Sequence, residues 1–155
     1  MDRLTLDAVD EGIIYALQEN ARRSITDIAA AVNVSDNTVR NRIERMEAGG
    51  VIDSYGVNVD FNRTDIQHHF LFICTVTVTE REMILDDVLE IPGVLEVRTL
   101  MTGQRNVHVV ACGNDNDDIT RIALSLDELG LQIDAEDLIR RERSQPLSAF
   151  AYEHS

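Results

Sequence analysis

The chain has 155 residues, 44% of them hydrophobic, with 14 basic against 28 acidic side chains and a net charge of −14. That supports one domain or two small ones with an apolar core. It excludes a helical membrane span, which needs roughly 18 apolar residues in a row, and Cys74 and Cys112 are too few for a disulfide framework.

The first helix is predicted over Asp7–Arg22, with Val9, Ile13, Ala16 and Leu17 on one apolar stripe. A second helix follows Ser24, a good N-cap, with Asp27 favouring the positive helix end and Ile28, Ala29 and Val32 facing inward. Asn33 falls in the turn, where left-handed backbone is often needed and asparagine is second only to glycine. Ser35 caps a third helix whose Val39, Ile43 and Met46 lie at i, i+4 and i+7, and Gly49-Gly50 ends it. Val51–Phe61 alternates and is strand-like; Asn62–Gln67 is a polar break near the domain boundary. Strands are predicted over Phe70–Thr79, Val94–Met101, Val107–Cys112 and Ala135–Ser144, and helices over Arg81–Ile91 and Ile119–Leu129. The order β-α-β-β-α-β is a ferredoxin-like split βαβ, with helices on one sheet face and a partner expected on the other. The fold class is therefore α+β, with residues 1–50 a helix-turn-helix domain, 51–66 a linking strand and hinge, and 67–155 the ferredoxin-like domain.

Ser24–Ile52 carries the strongest functional signal: a short helix, a tight turn and a second helix with three arginines form the layout of a DNA reader. The start of the third helix should enter the major groove. Asn37, Thr38, Arg40 and Asn41 are the candidates for base edges, since arginine pairs bidentately with guanine and asparagine with adenine. Asp36 serves the helix N-terminus as readily as a base. Arg42 and Arg45 lie further along and are expected on phosphates, with Arg22 and Arg23 clamping the backbone from the helix-1 end. The competing reading is a solvated face with its arginines paired to Glu44 and Glu47.

Overall charge argues against nucleic acid, and the motif argues for it. Ser35–Arg45 holds three arginines and two acids, so the reader face is the least acidic part of the chain. Every basic residue is arginine. This composition, on a chain too regularly periodic to be disordered, reads as adaptation to a salt-rich cytoplasm, where excess carboxylates keep a fold soluble. At molar salt, counterion release adds little affinity, so a basic surface is worth less. The acidic N-terminus lacks an apolar signal core, and a cytoplasmic location is expected.

Together, Leu6-Asp7-x-x-Asp10, LQENAR (Leu17–Arg22), Ile28-Ala29 and VSDNTVRNRIERMEAGGVI (Val34–Ile52), followed by PGV (Pro92–Val94) and Thr102-Gly103 in split βαβ order, make the chain resemble the Lrp/AsnC, or feast/famine, transcription regulators of a salt-adapted archaeal type. The resemblance implies a regulator of double-stranded DNA with pseudo-palindromic sites. It implies homodimers formed through the linking strand and the α/β domain, assembling further into tetramers or octamers. It also implies an amino-acid or other small-metabolite effector near Thr102, Gly103, Gln104, Arg105 and Asn106. Two positions depart from the family: Asn33 replaces the usual turn glycine, and Arg105-Asn106 replace an aromatic and an aspartate. An aspartate holds an ammonium group; asparagine does so more weakly, and Arg105 favours an anionic ligand group.

No catalytic residue, metal or cofactor is expected. The two cysteines, on strands that would be neighbours, suit small buried hydrophobes better than a redox or metal pair. His68, His69 and His108 have no ligand spacing. The Arg140-Arg141-Glu142-Arg143 cluster suits either acids such as Asp86, Asp87 or Glu90 of another dimer or the blunting of an edge strand. Two other functions compete. One is an enzyme resembling sirohaem decarboxylases, which carry a T-H-N-Y-like run where this chain has Glu96-Val97-Arg98-Thr99. The other is a metabolite-sensing assembly partner without DNA binding.

Overall fold

The structure, a computed structural model, describes residues 3–154. It divides into two compact units. The first joins the N-terminal residues through Asn58 with the segment that begins at Arg143, and the second is Val59–Glu142.

The first unit is built on three helices: α1 (Ala8–Glu19), α2 (Ile25–Val32) and α3 (Asp36–Ala48). Their starts are set by side chains. Asp7 caps α1 in a reciprocal capping box with Asp10, Ser24 caps α2 through the Asp27 amide, and Ser35 caps α3 through the Thr38 amide. Ile13, Ala16, Ile28, Ala29, Val32, Val39 and Met46 form the buried core. Each fully buried Ile, Val or Met among them is worth about 1.5–3 kcal/mol. Asn33 does adopt the left-handed turn conformation, at φ 57° and ψ 47°.

The second unit is a four-stranded antiparallel sheet, with β1 (His68–Thr75), β2 (Val94–Thr99), β3 (Val107–Gly113) and β4 (Gln132–Leu138) in the order β2-β3-β1-β4. Two helices, α4 (Leu85–Leu89) and α5 (Asn116–Glu128), bury Val88, Ile122 and Leu126 on one face of it, against Phe70, Phe72, Cys74, Val107, Val109 and Ala111. The other face carries Leu71, Ile73, His108, Val110 and Cys112, none of which joins that core.

Several boundaries are corrected. Helix α1 stops at Glu19, and Arg22 lies in the turn beyond it. Val51–Phe61 contains no strand: a strand is defined by a hydrogen-bonded neighbouring strand, and among the described residues the segment has none. Strand β1 ends at Thr75, short of Thr79, because the Asn106 side chain occupies the backbone groups of Val76. Residues 81–84 form turns in place of the expected helix start, with the Met83 and Ile84 amides both donating to the Glu80 carbonyl. Strand β4 runs earlier than Ala135–Ser144, starting at Gln132, two residues past Gly130 at φ +92°. The expected 67–155 domain gives up its last residues: Arg143 onward belongs to the first unit, where Tyr152 packs on the helical core.

Candidate nucleic-acid interface

Helix α3 presents two chemically distinct faces. Asn37, Arg40 and Asn41 share its outer stripe by i, i+3 and i+4 spacing, and all three are exposed. Among the described residues none of their side chains has a hydrogen-bond or ion-pair partner. Thr38 is half-buried, its hydroxyl hydrogen-bonded with that of Ser35 at 2.9 Å, so it completes the helix cap as well as lying at the helix start. Asp36 is not a free group: the Thr26 hydroxyl donates to its carboxylate at 2.8 Å, tying the start of α2 to the start of α3.

The two remaining arginines of α3 turn toward α1. Arg42 donates to Asp7 Oδ2 at 2.6 Å and to Asp10 Oδ1 at 3.1 Å. Arg45 donates to Asp10 Oδ2 at 3.2 Å and to the Thr5 carbonyl at 3.2 Å. Asp10 is only 1% exposed, so its carboxylate is desolvated and must be paired. Three hydrogen bonds to backbone and guanidinium groups do this, and they lock α3 across the N-terminus of α1. The backbone amide of Asp10 and the Arg42 guanidinium hold the Asp7 carboxyl below its usual range, and the same two aspartates raise Arg42. The expectation that Arg42 and Arg45 hold phosphates is therefore revised: Arg42 through Nη1, and Arg45 through Nη1 and Nη2, are engaged inside the unit. The paired aspartates were visible as D-x-x-D ahead of an apolar run, a capping pattern, yet nothing in the spacing announced that arginines more than thirty residues away would close on them.

Arg22 is exposed in the turn after α1, and its neighbour Arg23 pairs with Glu19 at 3.4 Å. The structure thus brings Asn37, Thr38, Arg40 and Asn41 together on one helix start and places Arg22 and Arg23 outside it.

In the second unit, Thr102–Arg105 forms an exposed turn. The Thr102 hydroxyl donates to the Gln104 carbonyl at 2.7 Å, Arg105 takes positive φ (51°), and the Arg105 amide donates to Thr75 Oγ1 at 2.8 Å. Arg81 pins the turn from behind, donating to the Leu100 carbonyl at 2.8 Å. Asn106 is fully buried. Its side chain accepts from the Val76 amide at 3.0 Å and donates to the Val76 carbonyl at 2.9 Å. An amide that imitates a backbone rung is satisfied where it stands, so Asn106 is removed from the candidate effector set.

The cysteines are not a pair. Cys74 lies opposite Val107 and Cys112 opposite His69, five residues apart along β1, or about 17 Å at strand rise. Cys74 belongs to the core under the helices and Cys112 does not. Burial, with Asp134 and Glu136 nearby, pushes the Cys74 thiol up to about 12, and burial beside Glu142 raises Cys112. Among the described residues no group of three His, Cys, Asp or Glu side chains is placed to hold a metal, and no helix is long and apolar enough to cross a membrane.

Residues 6–47 match the family model of the AsnC-type helix-turn-helix domain. An uncharacterised HTH-type transcriptional regulator of Pyrococcus horikoshii is 23% identical over 122 residues, covering 79% of this chain and 77% of that protein. Among solved structures, MtbAldR superposes with a TM-score of 0.76 at 17% identity, covering 92% of this chain and 99% of its own. LrpC of B. subtilis does so at 0.71 and 16%, covering 91% and 99%. At such identities these likenesses establish the fold.

Proposed function

We propose that this chain, whose residues 6–47 match the AsnC-type helix-turn-helix model, is a DNA-binding transcription regulator of the Lrp/AsnC type that uses the groups described above. Asn37, Arg40 and Asn41, with Thr38 at the helix start, read base edges in the major groove. Arg22 and Arg23 contact the phosphate backbone from the turn after α1. Arg42 and Arg45 act one step back, holding α3 against α1 so that its outer stripe keeps one orientation. The observation that carries this reading is the division of labour on α3: two arginines are paired with Asp7 and Asp10, and the three polar side chains facing outward have no partner among the described residues.

The regulator works in the cytoplasm as a binding protein rather than an enzyme, on pseudo-palindromic promoter DNA and as a homodimer or larger even-numbered assembly. Two features support self-association. Asp53–Val59 belongs to no strand, with Val57 85% exposed, and the sheet face bearing Leu71, Ile73 and Val110 lies outside the core that the two helices cover. The Thr102–Arg105 turn offers an exposed guanidinium and no acidic side chain, which suits the anionic group of a small metabolite.

Fluorescence anisotropy with the DNA upstream of the protein's own gene, beside a scrambled duplex, tests the reading from about 0.2 M to multi-molar KCl. Sequence preference that persists at high salt is expected of a salt-adapted regulator. Equal affinity for both duplexes at every salt concentration, with the protein folded, would sink the assignment of that DNA and favour a sensing partner.

A further inference from the structure

The first unit does not end where the linking segment leaves it. The chain returns at Arg143, and a short helical turn, Ser148–Phe150, packs on α1. Tyr152 then joins the helical core. The seat for this return segment is built into α1. Gly12 is buried in mid-helix, where alanine would favour the helix by about 1 kcal/mol. A Cβ at Gly12 would lie 2.7 Å from Val32 Cγ1 and 2.9 Å from Tyr152 Cβ, closer than carbon atoms pack. The glycine lets α2 and the return segment converge on one point of α1. The reader is therefore anchored to the rest of the chain twice, through the residues leading to Asn58 and again through Arg143 onward, with residues 59–142 between the two attachments.

We propose that Tyr152, docked at Gly12, is a positioning residue for two-site DNA binding, and that the return segment is a second tether restricting where each reader can be. This rests on the dimeric reading above. A reader held by two tethers searches less space than one hung on a single extended linker. Once its partner is bound, it meets the second half-site at a higher effective concentration. Tyr152 touches no base or phosphate in this account; it acts through the path of the chain.

The test compares wild type, Tyr152→Ala, Tyr152→Phe and a variant with about twelve Gly/Ser residues inserted between Glu142 and Arg143, which lengthens the tether and leaves the docked residues untouched. Each is titrated on a duplex with two half-sites about one helical turn apart and on a duplex with one. Tyr152→Ala and the insertion are expected to lose about tenfold on the two-site duplex and little on the single site. Tyr152→Phe keeps the ring and should follow wild type on both. Equal weakening on both duplexes, or none on either, overturns the proposal; the insertion decides should Tyr152→Ala not fold. A wild-type protein that binds both duplexes equally well overturns the dimeric reading and this proposal with it, and is recognised before any variant is made.

Discussion

The helical unit and the sheet unit handle their buried polar groups in opposite ways, and what each leaves over differs accordingly. In the helical unit the buried group is charged: Asp10, 1% exposed, is held by two arginines from α3. The charges cancel internally, and the surplus is a polar stripe of Asn37, Arg40 and Asn41 facing outward. In the sheet unit the buried group is neutral: Asn106 extends the β1–β3 ladder by one side-chain rung. There the surplus is apolar, with Leu71, Ile73 and Val110 outside the core that the helices cover. On the proposed reading, the polar stripe with the Arg40 guanidinium meets DNA and the apolar sheet face meets a second copy. The two units are thus prepared for different partners by the same economy: each satisfies its own interior and leaves one chemistry unmatched.

That contrast breaks most sharply at the two buried groups. Replacing Asp10 with alanine removes the carboxylate from Arg42 and Arg45 and half of the capping box. It should destabilise the helical unit by about 2–4 kcal/mol, a range set by hydrogen bonds to charged groups and by stranded ion-pair partners. The measurement is the unfolding transition of that unit in urea, followed by amide exchange at α1. A loss under about 1 kcal/mol would show that solvent replaces the carboxylate at no real cost. Replacing Asn106 with alanine leaves both backbone groups of Val76 unpaired in a dry setting, a cost of about 2–3 kcal/mol. Its effect should appear in the sheet unit, as faster exchange of the Val76 amide, while the sequence preference of DNA binding stays as it was. If either variant unfolds both units together, the idea of two separately satisfied interiors is wrong.

The comparison sharpens on α3 itself, where Arg40 and Arg42 are two residues apart and assigned opposite work. Arg40→Ala should cost about 1–3 kcal/mol of discrimination at one base pair and little stability. Arg42→Ala should cost stability and, where the protein remains folded, weaken all sequences alike. A competition assay with single-base operator variants separates the two. Uniform weakening by Arg40→Ala would move it from base reading to phosphate contact.

Much of this architecture was legible in the sequence, and the failures have a common cause. The caps at Ser24 and Ser35, the left-handed Asn33 and the inward Val39 and Met46 follow from local rules, because the groups that decide them lie within a few residues of each other. The split βαβ order was legible for the same reason: period-two runs and turn residues are local signals. What escaped was settled by distant neighbours. The roles of Arg42 and Arg45 depend on carboxylates 32 to 35 residues away. Asn106 looked like a ligand group until Val76, 30 residues upstream, proved to be its partner. Val51–Phe61 had the composition of a strand, but pairing is a property of two segments and among the described residues no second one pairs with it. Tyr152 carries no such signal, because an aromatic near the end of a polar stretch has no periodicity to mark it. For the reader surface, helix placement and outward positions were readable; which arginines remained free was not.

The smallest effect concerns the exposed end of the arginine clamp. Asp7 has a folded pKa lowered below its ordinary value, first by the hydrogen bond from the Asp10 amide and then by Arg42. For a carboxyl lowered in the folded state, the stabilisation is complete above the unfolded value of about 3.9 and disappears as pH falls through the lower folded value. Acidification below about pH 4 should therefore erode the helical unit progressively, and Asp7→Asn should lose part of that dependence while keeping a helix cap. Half of the Asp7 side chain is in solvent, so the slope of stability against pH should be shallow, and high salt should flatten it further. Asp7→Ser, which caps without charge, separates the capping contribution from the Coulombic one. If Asp7→Ser retains the wild-type acid slope, the acid sensitivity originates elsewhere, and the contact of Asp7 with Arg42 is geometry without consequence for stability.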